Sequence, residues 1–460
     1  MLDSKMSDSV YHQETVDANE ISTEVKKITI PPDIELESQN KFLFYGLLTY
    51  IFIFYTQIAA RIPALSPLRI EFLVGSILLL AIGFKFFSGE LNFMENKINL
   101  AGLLFFTAAF LTIPFAMVKS LALETFINMF KFSAVYFMII ASITTERRLK
   151  IYFYLYLSLV GLIFVEPFIN SLFGKGFIWN NGMWRLAGTT SAFGHPNQLG
   201  GVASANLPFF FYMMFYVKSK IGKVIYFSLI IMAIRVVMLT QSRTGFLGVL
   251  MFGFFVWLFS KSKVLSLILG IFLLIILWQF APEQTKDRFR TFASIEKVMT
   301  TDRSEVSDAE RSRLASTFSR WRLIQRAWTC FLEHPIIGVG LRNFNSYNGR
   351  KYGLWHPPHN SYLQALAEMG LIGFLAFMYF IIVIFKNLRE SKEIQLNFLE
   401  DQRFLYYLTK AVTVYFLVRL VVSTFGQDLY ANYWWVAAGF AVVIYRVTLQ
   451  KYQYVAQLAE

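Results

Sequence analysis

Val264-Leu-Ser-Leu-Ile-Leu-Gly-Ile-Phe-Leu-Leu-Ile-Ile-Leu-Trp-Gln-Phe-Ala281 carries no charged residue and is preceded by Lys261 and Lys263. It is close to the roughly 20 residues an α-helix needs to cross the hydrocarbon core of a bilayer. A barrel strand would be about half that length and would alternate apolar and polar positions, which this run does not. Working outward, comparable stretches recur at about 42–60, 68–87, 98–118, 123–143, 151–173, 198–217, 223–240, 244–260, 361–386, 404–425 and 431–448. The fourth contains Lys131 and the seventh Arg235. The expected fold is therefore an all-α polytopic membrane protein with about 12 transmembrane helices.

Composition agrees. Of 460 residues, 56% are hydrophobic and 16% charged, against about 25% charged in soluble domains. Intrinsic disorder of the whole chain is excluded, because it needs low hydrophobicity. The net charge of +13 does not indicate nucleic-acid binding, since the bases lie among runs of Phe, Leu and Ile rather than on a water-soluble surface. Cys330 is the single cysteine, which leaves no internal disulfide and no Cys-based metal site.

Charge divides the chain. Residues 1–40 hold nine acids and three bases with no apolar run, and are expected to form a mostly disordered cytoplasmic tail. Residues 41–281 hold the first nine helices, 282–360 a large outer loop, 361–448 the last three helices, and 449–460 a second cytoplasmic tail. Placing the N-terminus inside puts Lys85 and Lys97, Arg147, Arg148 and Lys150, Lys218, Lys220 and Lys223, Lys261 and Lys263, and Lys386, Arg389, Lys392 and Arg403 on the cytoplasmic side. The short outer loops hold far fewer bases, which is the positive-inside asymmetry. The 79 residues of 282–360 are too long a connection to lack structure or function of their own, and are read as a small extracytoplasmic domain.

Three outer segments have unusual local sequences. Arg185-Leu-Ala-Gly-Thr-Thr-Ser-Ala-Phe-Gly-His-Pro-Asn197 opens the sixth helix, with turn and cap residues at Gly194, Pro196 and Asn197. Gln241-Ser-Arg243-Thr-Gly is a tight turn between apolar helices, and its arginine could simply snorkel to the membrane boundary. The third segment runs from His334-Pro-Ile-Ile-Gly-Val-Gly340 to His356-Pro-Pro-His359-Asn360-Ser361. Its approach reads as an amphipathic helix, with Leu314, Phe318, Trp321, Ile324 and Trp328 on an apolar stripe. Arg311, Arg322 and Arg326 fall opposite, and Arg313 and Arg320 at the stripe's edge. Ser361 and Gln364 have capping-box spacing. An imidazole at His359, beside that helix N-terminus, is held neutral by the dipole and is suited to act as a general base.

These motifs, in this order and on one membrane face, resemble the O-antigen ligase and O-antigen polymerase family of bacterial envelope glycosyltransferases. The likeness covers about residues 180–380. It implies a GT-C-like fold with the large periplasmic loop between helices 9 and 10 over the active site, in the bacterial inner membrane. It implies transfer of a glycan from undecaprenyl pyrophosphate to a sugar hydroxyl of lipid A core, or to a second lipid-linked repeat in a polymerase. Carried over by motif, the catalytic positions would be His359, Arg320 and Arg243, with Arg185, Asn197, Asn360 and Arg313 binding substrate. Guanidinium groups suit a pyrophosphate leaving group because they offer paired donors and keep their charge. No outer carboxylate cluster resembles a divalent-metal site, so an inverting, metal-independent reaction without cofactor is expected, with membrane lipids but no nucleic acid as further partners. The competing class is a transporter or flippase using Lys131, Arg235, Lys410 and Arg419 as a polar path. Against it, the chain shows no clear internal repeat.

Overall fold

The computed structural model describes residues 41–91, 96–180, 183–190, 192–279, 283, 286, 308–398 and 403–459; the acidic segment 1–40 lies outside them. Helices occupy all twelve expected positions: α1 Lys41–Thr56, α2 Ile70–Phe87, α3 Lys97–Leu111, α4 Lys119–Ser142, α5 Glu146–Leu172, α6 Pro196–Tyr216, α7 Lys220–Thr240, α8 Arg243–Leu258, α9 Lys263–Gln279, then α12 Ser361–Phe398, α13 Arg403–Val422 and α14 Tyr433–Ala459. Between α9 and α12 lie α10, Asp308–Glu333, and α11, Phe344–Tyr352. Among the described residues, six helices are long and apolar enough to cross a membrane, and four shorter ones are also apolar. The chain is a multi-pass membrane protein. One departure from the all-α expectation is an antiparallel hairpin, β1 Phe177–Trp179 with β2 Trp184–Leu186, pairing Phe177 with Leu186.

The centre of the bundle is aromatic. Phe105 of α3 meets Phe377 and Phe380 of α12 and Trp435 of α14 with ring centroids 5.3, 6.2 and 6.4 Å away. These offset and tilted contacts add to the area burial of large rings. Beside this group, α6 packs against α7, α8 and α13. Its buried Asn206 accepts from Tyr156 Oη (3.0 Å) and donates to the Val202 carbonyl (2.8 Å), so the polar group is satisfied inside the bundle.

Helix α12 is broken at Gly370, whose φ of 63° and ψ of −165° are open essentially to glycine alone. The break frees backbone groups that must find partners elsewhere. The segment 335–340 supplies them. Val339 N and Gly340 N donate to the carbonyls of Ala367 and Glu368 (3.0 and 2.9 Å), while Leu371 N and Ile372 N donate to Pro335 and Ile336 (2.8 and 3.4 Å). The approach is so close that a Cβ on Gly338 would lie 2.4 Å from the Glu368 carbonyl carbon, and one on Gly370 2.3 Å from that of Ile336. The His334–Gly340 motif and the Glu368-Met-Gly-Leu-Ile-Gly373 run of α12 are thus two halves of one backbone joint. Glu368 closes it: its buried carboxylate accepts from Arg342 N (2.8 Å), Tyr430 Oη (2.6 Å) and Gln364 Nε2 (3.1 Å). This joint fixes the C-terminal half of the outer segment onto α12.

Candidate functional site

The ends of α1, α3, α5, α7 and α13 and the starts of α4, α6, α8, α12 and α14 share one face, cross-linked by loop contacts. Val118 N donates to Asn343 Oδ1 (2.8 Å), and Tyr362 Oη to the Leu420 carbonyl (2.8 Å). The candidate residues gather here.

Arg185, on β2, is fully buried. It donates from Nε to the Thr240 carbonyl (2.8 Å), from Nη1 to Asn180 Oδ1 (2.8 Å) and from Nη2 to Asn197 Oδ1 (2.5 Å). All three acceptors are neutral. Burial and the nearby Arg320 charge lower the guanidinium to about 10, still cationic at neutral pH. The bonds to Thr240 and Asn197 tie the hairpin to the end of α7 and the start of α6, and the bond to Asn180 braces its own turn. Asn197 is at the second position of α6, and His195 Nδ1 accepts from its backbone N–H (3.2 Å). That contact makes His195 the helix cap, a role the sequence reading had given to its neighbours. Burial and the Arg185 charge push His195 below its ordinary value, which favours the neutral, accepting ring.

Arg243 opens α8. Gln241 takes a left-handed backbone (φ 50°), Ser242 caps the helix by accepting from Gly245 N (3.2 Å), and Gly245 lies against Gly200 of α6. A Cβ on Gly200 would come 2.8 Å from Thr240 Oγ1, so the Gln-Ser-Arg-Thr-Gly turn requires glycine at position 200. Arg243 therefore begins three residues after the carbonyl that Arg185 holds.

Helix α10 packs on a face of smaller residues beside the expected apolar stripe. Leu323, Ala327 and Cys330 face inward and cluster with Val339, Phe344, Tyr347 and Ala367. This buried face is rotated towards Arg320, which is half-buried on it, while Trp321 and Trp328 face outward. The reason is size: the joint with α12 admits Ala327 and Cys330 but not indole rings. Arg326 is not a freely solvated base either. It donates to Asn348 Oδ1 (3.2 Å) and stands 4.3 Å over the Tyr352 ring. Arg322 is exposed; Leu314, Phe318, Arg311 and Arg313 lie on the same helix, with side chains outside the described residues.

His359 takes a left-handed backbone (φ 52°), an unusual state for a non-glycine residue that costs about 1–3 kcal/mol and must be held by its surroundings. Pro357-Pro358 precede it, and Asn360 follows as the cap of α12. Asn360 Oδ1 accepts from Tyr362 N (3.0 Å) and Leu363 N (2.9 Å). The expected Ser361–Gln364 capping box does not form: Ser361 Oγ instead accepts from Asp428 N (2.8 Å), and Gln364 turns to Glu368. The imidazole Nδ1 lies 3.1 Å from Gln427 Nε2. Burial first, then the charges of Arg320 and His356, push His359 down to about 4. The charge of Arg320 thus reaches both Arg185 and His359, so the guanidinium sits where it is felt by each.

Gln427 was not singled out from sequence. Its only signal is position, a polar Gly426-Gln-Asp428 insert in the short loop between α13 and α14. Arg419, one turn from the end of α13, is buried with its guanidinium 4.0 Å over the Tyr433 ring, and Lys410 stands over Tyr212 and Tyr406 at 5.4 and 5.1 Å. Each of these two span cations has its own aromatic contact. Lys131 points outward from α4.

Residues 227–378 match a family model described as O-antigen ligase. That is about a third of the chain, and it contains Arg243, Arg320 and His359 while Arg185 and Asn197 precede it. Two curated relatives are similar over a comparable length. A Rickettsia conorii protein named "Putative polysaccharide ligase" is 28% identical over 134 residues, covering 26% of this chain and 29% of that one. A Rickettsia felis protein of the same name is 26% identical over 125 residues, covering 26% and 27%. The similarity thus spans less than a third of the length of either relative.

Proposed function

We propose that this chain, which carries an O-antigen ligase family domain over residues 227–378, is a glycosyltransferase of the bacterial inner membrane. It moves a glycan from undecaprenyl pyrophosphate to a sugar hydroxyl of lipid A core at the periplasmic face. All twelve apolar helices cross the membrane in this reading, and both termini are cytoplasmic. The observation that carries it is the placement of Arg320: residues far apart in sequence bring two guanidinium groups and a neutral imidazole to one rim, with only neutral acceptors on the more buried guanidinium.

Such a rim suits the reaction's charge flow. The acceptor oxygen bonds to the anomeric carbon as the bond to the pyrophosphate oxygen breaks, inverting that centre. Negative charge grows on the departing lipid pyrophosphate, where Arg320 and Arg243 meet it. Arg185 adds positive potential from its buried position and holds Asn197 and the turn bearing Arg243. Donors already in place at developing charge need no reorganisation during the step.

His359 takes the acceptor proton. Its low pKa keeps it neutral, and therefore able to accept, throughout the physiological range. A bound pyrophosphate offsets the repulsion from Arg320 and raises the imidazole's proton affinity towards the value at which a base is effective. Gln427 decides which ring nitrogen does this. As placed, its amide Nε2 faces Nδ1 and makes that nitrogen the acceptor; with the amide flipped, its oxygen accepts from Nδ1–H and the imidazole Nε2 is left bare for the acceptor hydroxyl. The step needs no divalent metal in this reading, because the guanidinium groups carry the compensating charge.

The test is mass spectrometry of lipid-linked and lipid A-linked glycans in a deletion strain complemented with single alanine variants of Arg243, Arg320 and His359. Polymer left on the lipid carrier and missing from lipid A core is expected. Accumulated single repeats, with single repeats still on lipid A core, would instead identify a polymerase. Full-length surface glycan from all three variants defeats the mechanism. Activity that disappears with EDTA and returns with Mg²⁺ defeats its metal-free part.

A further inference from the structure

The outward face of α10 is unusual for a surface bathed in water. Trp321, Trp328 and Leu332 are 60%, 48% and 60% exposed, and Ile336, just beyond the helix, is 64% exposed. On a helical wheel the first three fall within a narrow sector, on the side away from the buried Leu323, Ala327 and Cys330. Large aromatics standing proud in a row are what an interfacial helix presents to the boundary between acyl chains and headgroups.

What covers this row is indicated by where it leads. Ile336 belongs to the backbone joint with α12: its carbonyl accepts from Ile372 N, and Pro335 accepts from Leu371 N. Leu371, Ile372 and Leu375 are exposed on α12, a helix long and apolar enough to cross the membrane, so these side chains face lipid. The Trp321–Ile336 row leads to that surface through the backbone bonds of Pro335 and Ile336 with Leu371 and Ile372. Arg322, exposed next to Trp321, can reach anionic headgroups from the same position.

We propose that Trp321, Trp328 and Leu332 seat α10 in the headgroup layer of the bilayer that holds α12, so that the helix lies on the membrane rather than standing in the aqueous space. Its opposite, inward face holds Arg320. On the glycosyl-transfer reading, on which this one consequence rests, a lipid-linked pyrophosphate arriving in the plane of the membrane meets Arg320 without leaving the headgroup layer.

The test is fluorescence quenching of the full chain in vesicles, comparing wild type with Trp321→Phe and Trp328→Phe. Subtraction isolates each indole among the nine tryptophans of the chain. Lipids brominated high on the acyl chain should remove most of the emission lost in each substitution, and aqueous acrylamide little of it. Quenching by acrylamide alone means the row faces water, and quenching by neither means protein covers it; either result overturns the proposal. The measurement needs no turnover, so it distinguishes a failed membrane seat from a failed assignment of the reaction. Lipid quenching with intact glycan transfer in an Arg320→Ala variant would sink the reaction while leaving the seat in place.

Discussion

Helix α9 is apolar almost throughout and none of its described side chains is buried, whereas α6 includes Asn197, Gly200, Gly201, Ser204, Asn206 and Pro208 and is buried along most of its length. In water this would be inside out. In a bilayer, lipid tails are as apolar as leucine, so a greasy helix gains nothing by leaving them. Close packing instead needs small residues that let backbones approach and polar groups that find partners. Helix α6 has both: Gly200 lies against Thr240 and Ser242, Gly248 of α8 lies against Ser204, and Asn206 bonds to Tyr156. The less apolar helix is therefore the one that positions Asn197 and Arg185, and the more apolar one serves as a boundary with lipid.

The comparison can be broken most forcefully at the rim that α6 supports. His359→Ala should lower transfer by about 10²–10⁴-fold, the usual range for losing a general base, with membrane insertion unchanged in a protease-protection assay. Its pH profile sharpens the point. Because the folded pKa is depressed to about 4, the active neutral form persists in acid, so kcat/KM should be flat from neutrality and fall only as pH drops through about 4. A fall centred near 6.5 would show that burial and Arg320 do not act on His359. Arg320→Ala should cost about 2.7–4 kcal/mol of transition-state stabilisation, read as a drop in kcat with Arg320→Lys recovering only part of it.

Smaller effects separate the helices themselves. A Cβ on Gly248 would lie 2.3 Å from Ser204 Oγ, so Gly248→Leu should destabilise by about 1–3 kcal/mol, as overpacking does, measured as a lower midpoint in detergent unfolding. Leu267→Ala and Ile271→Ala on α9 should each change that midpoint by less than the equivalent of about 0.5 kcal/mol. If the α9 substitutions proved as costly as the α6–α8 one, α9 would be buried against a partner rather than facing lipid.

Much of this organisation was legible in the chain. Runs such as Val264–Ala281 locate helices because length and continuous apolarity suffice for a span. Arg243, Arg320 and His359 stood out through the short motifs that carry them and the family those motifs resemble. Less legible was the role of glycine motifs. At Gly338 and Gly370 nothing local announces that each makes room for the other's chain. Gln427 stayed hidden because an amide in a short loop is unremarkable until it is set 3.1 Å from an imidazole. The apolar stripe of α10 was legible, but which face packs against protein was not: the joint accepts Ala327 and Cys330 and leaves the tryptophans outside.

The sequence alone determined that this protein lives in a membrane, about where its apolar helices fall, and which basic residues flank them. All of these follow from the cost of exposing backbone or charge to hydrocarbon. Tertiary structure decided the rest: which helix is central, which face of α10 turns inward, and that Arg185, Arg320 and His359 share a field. Those outcomes depend on contacts between segments separated along the chain, where close approach and unpaired backbone groups, not local apolarity, select the arrangement.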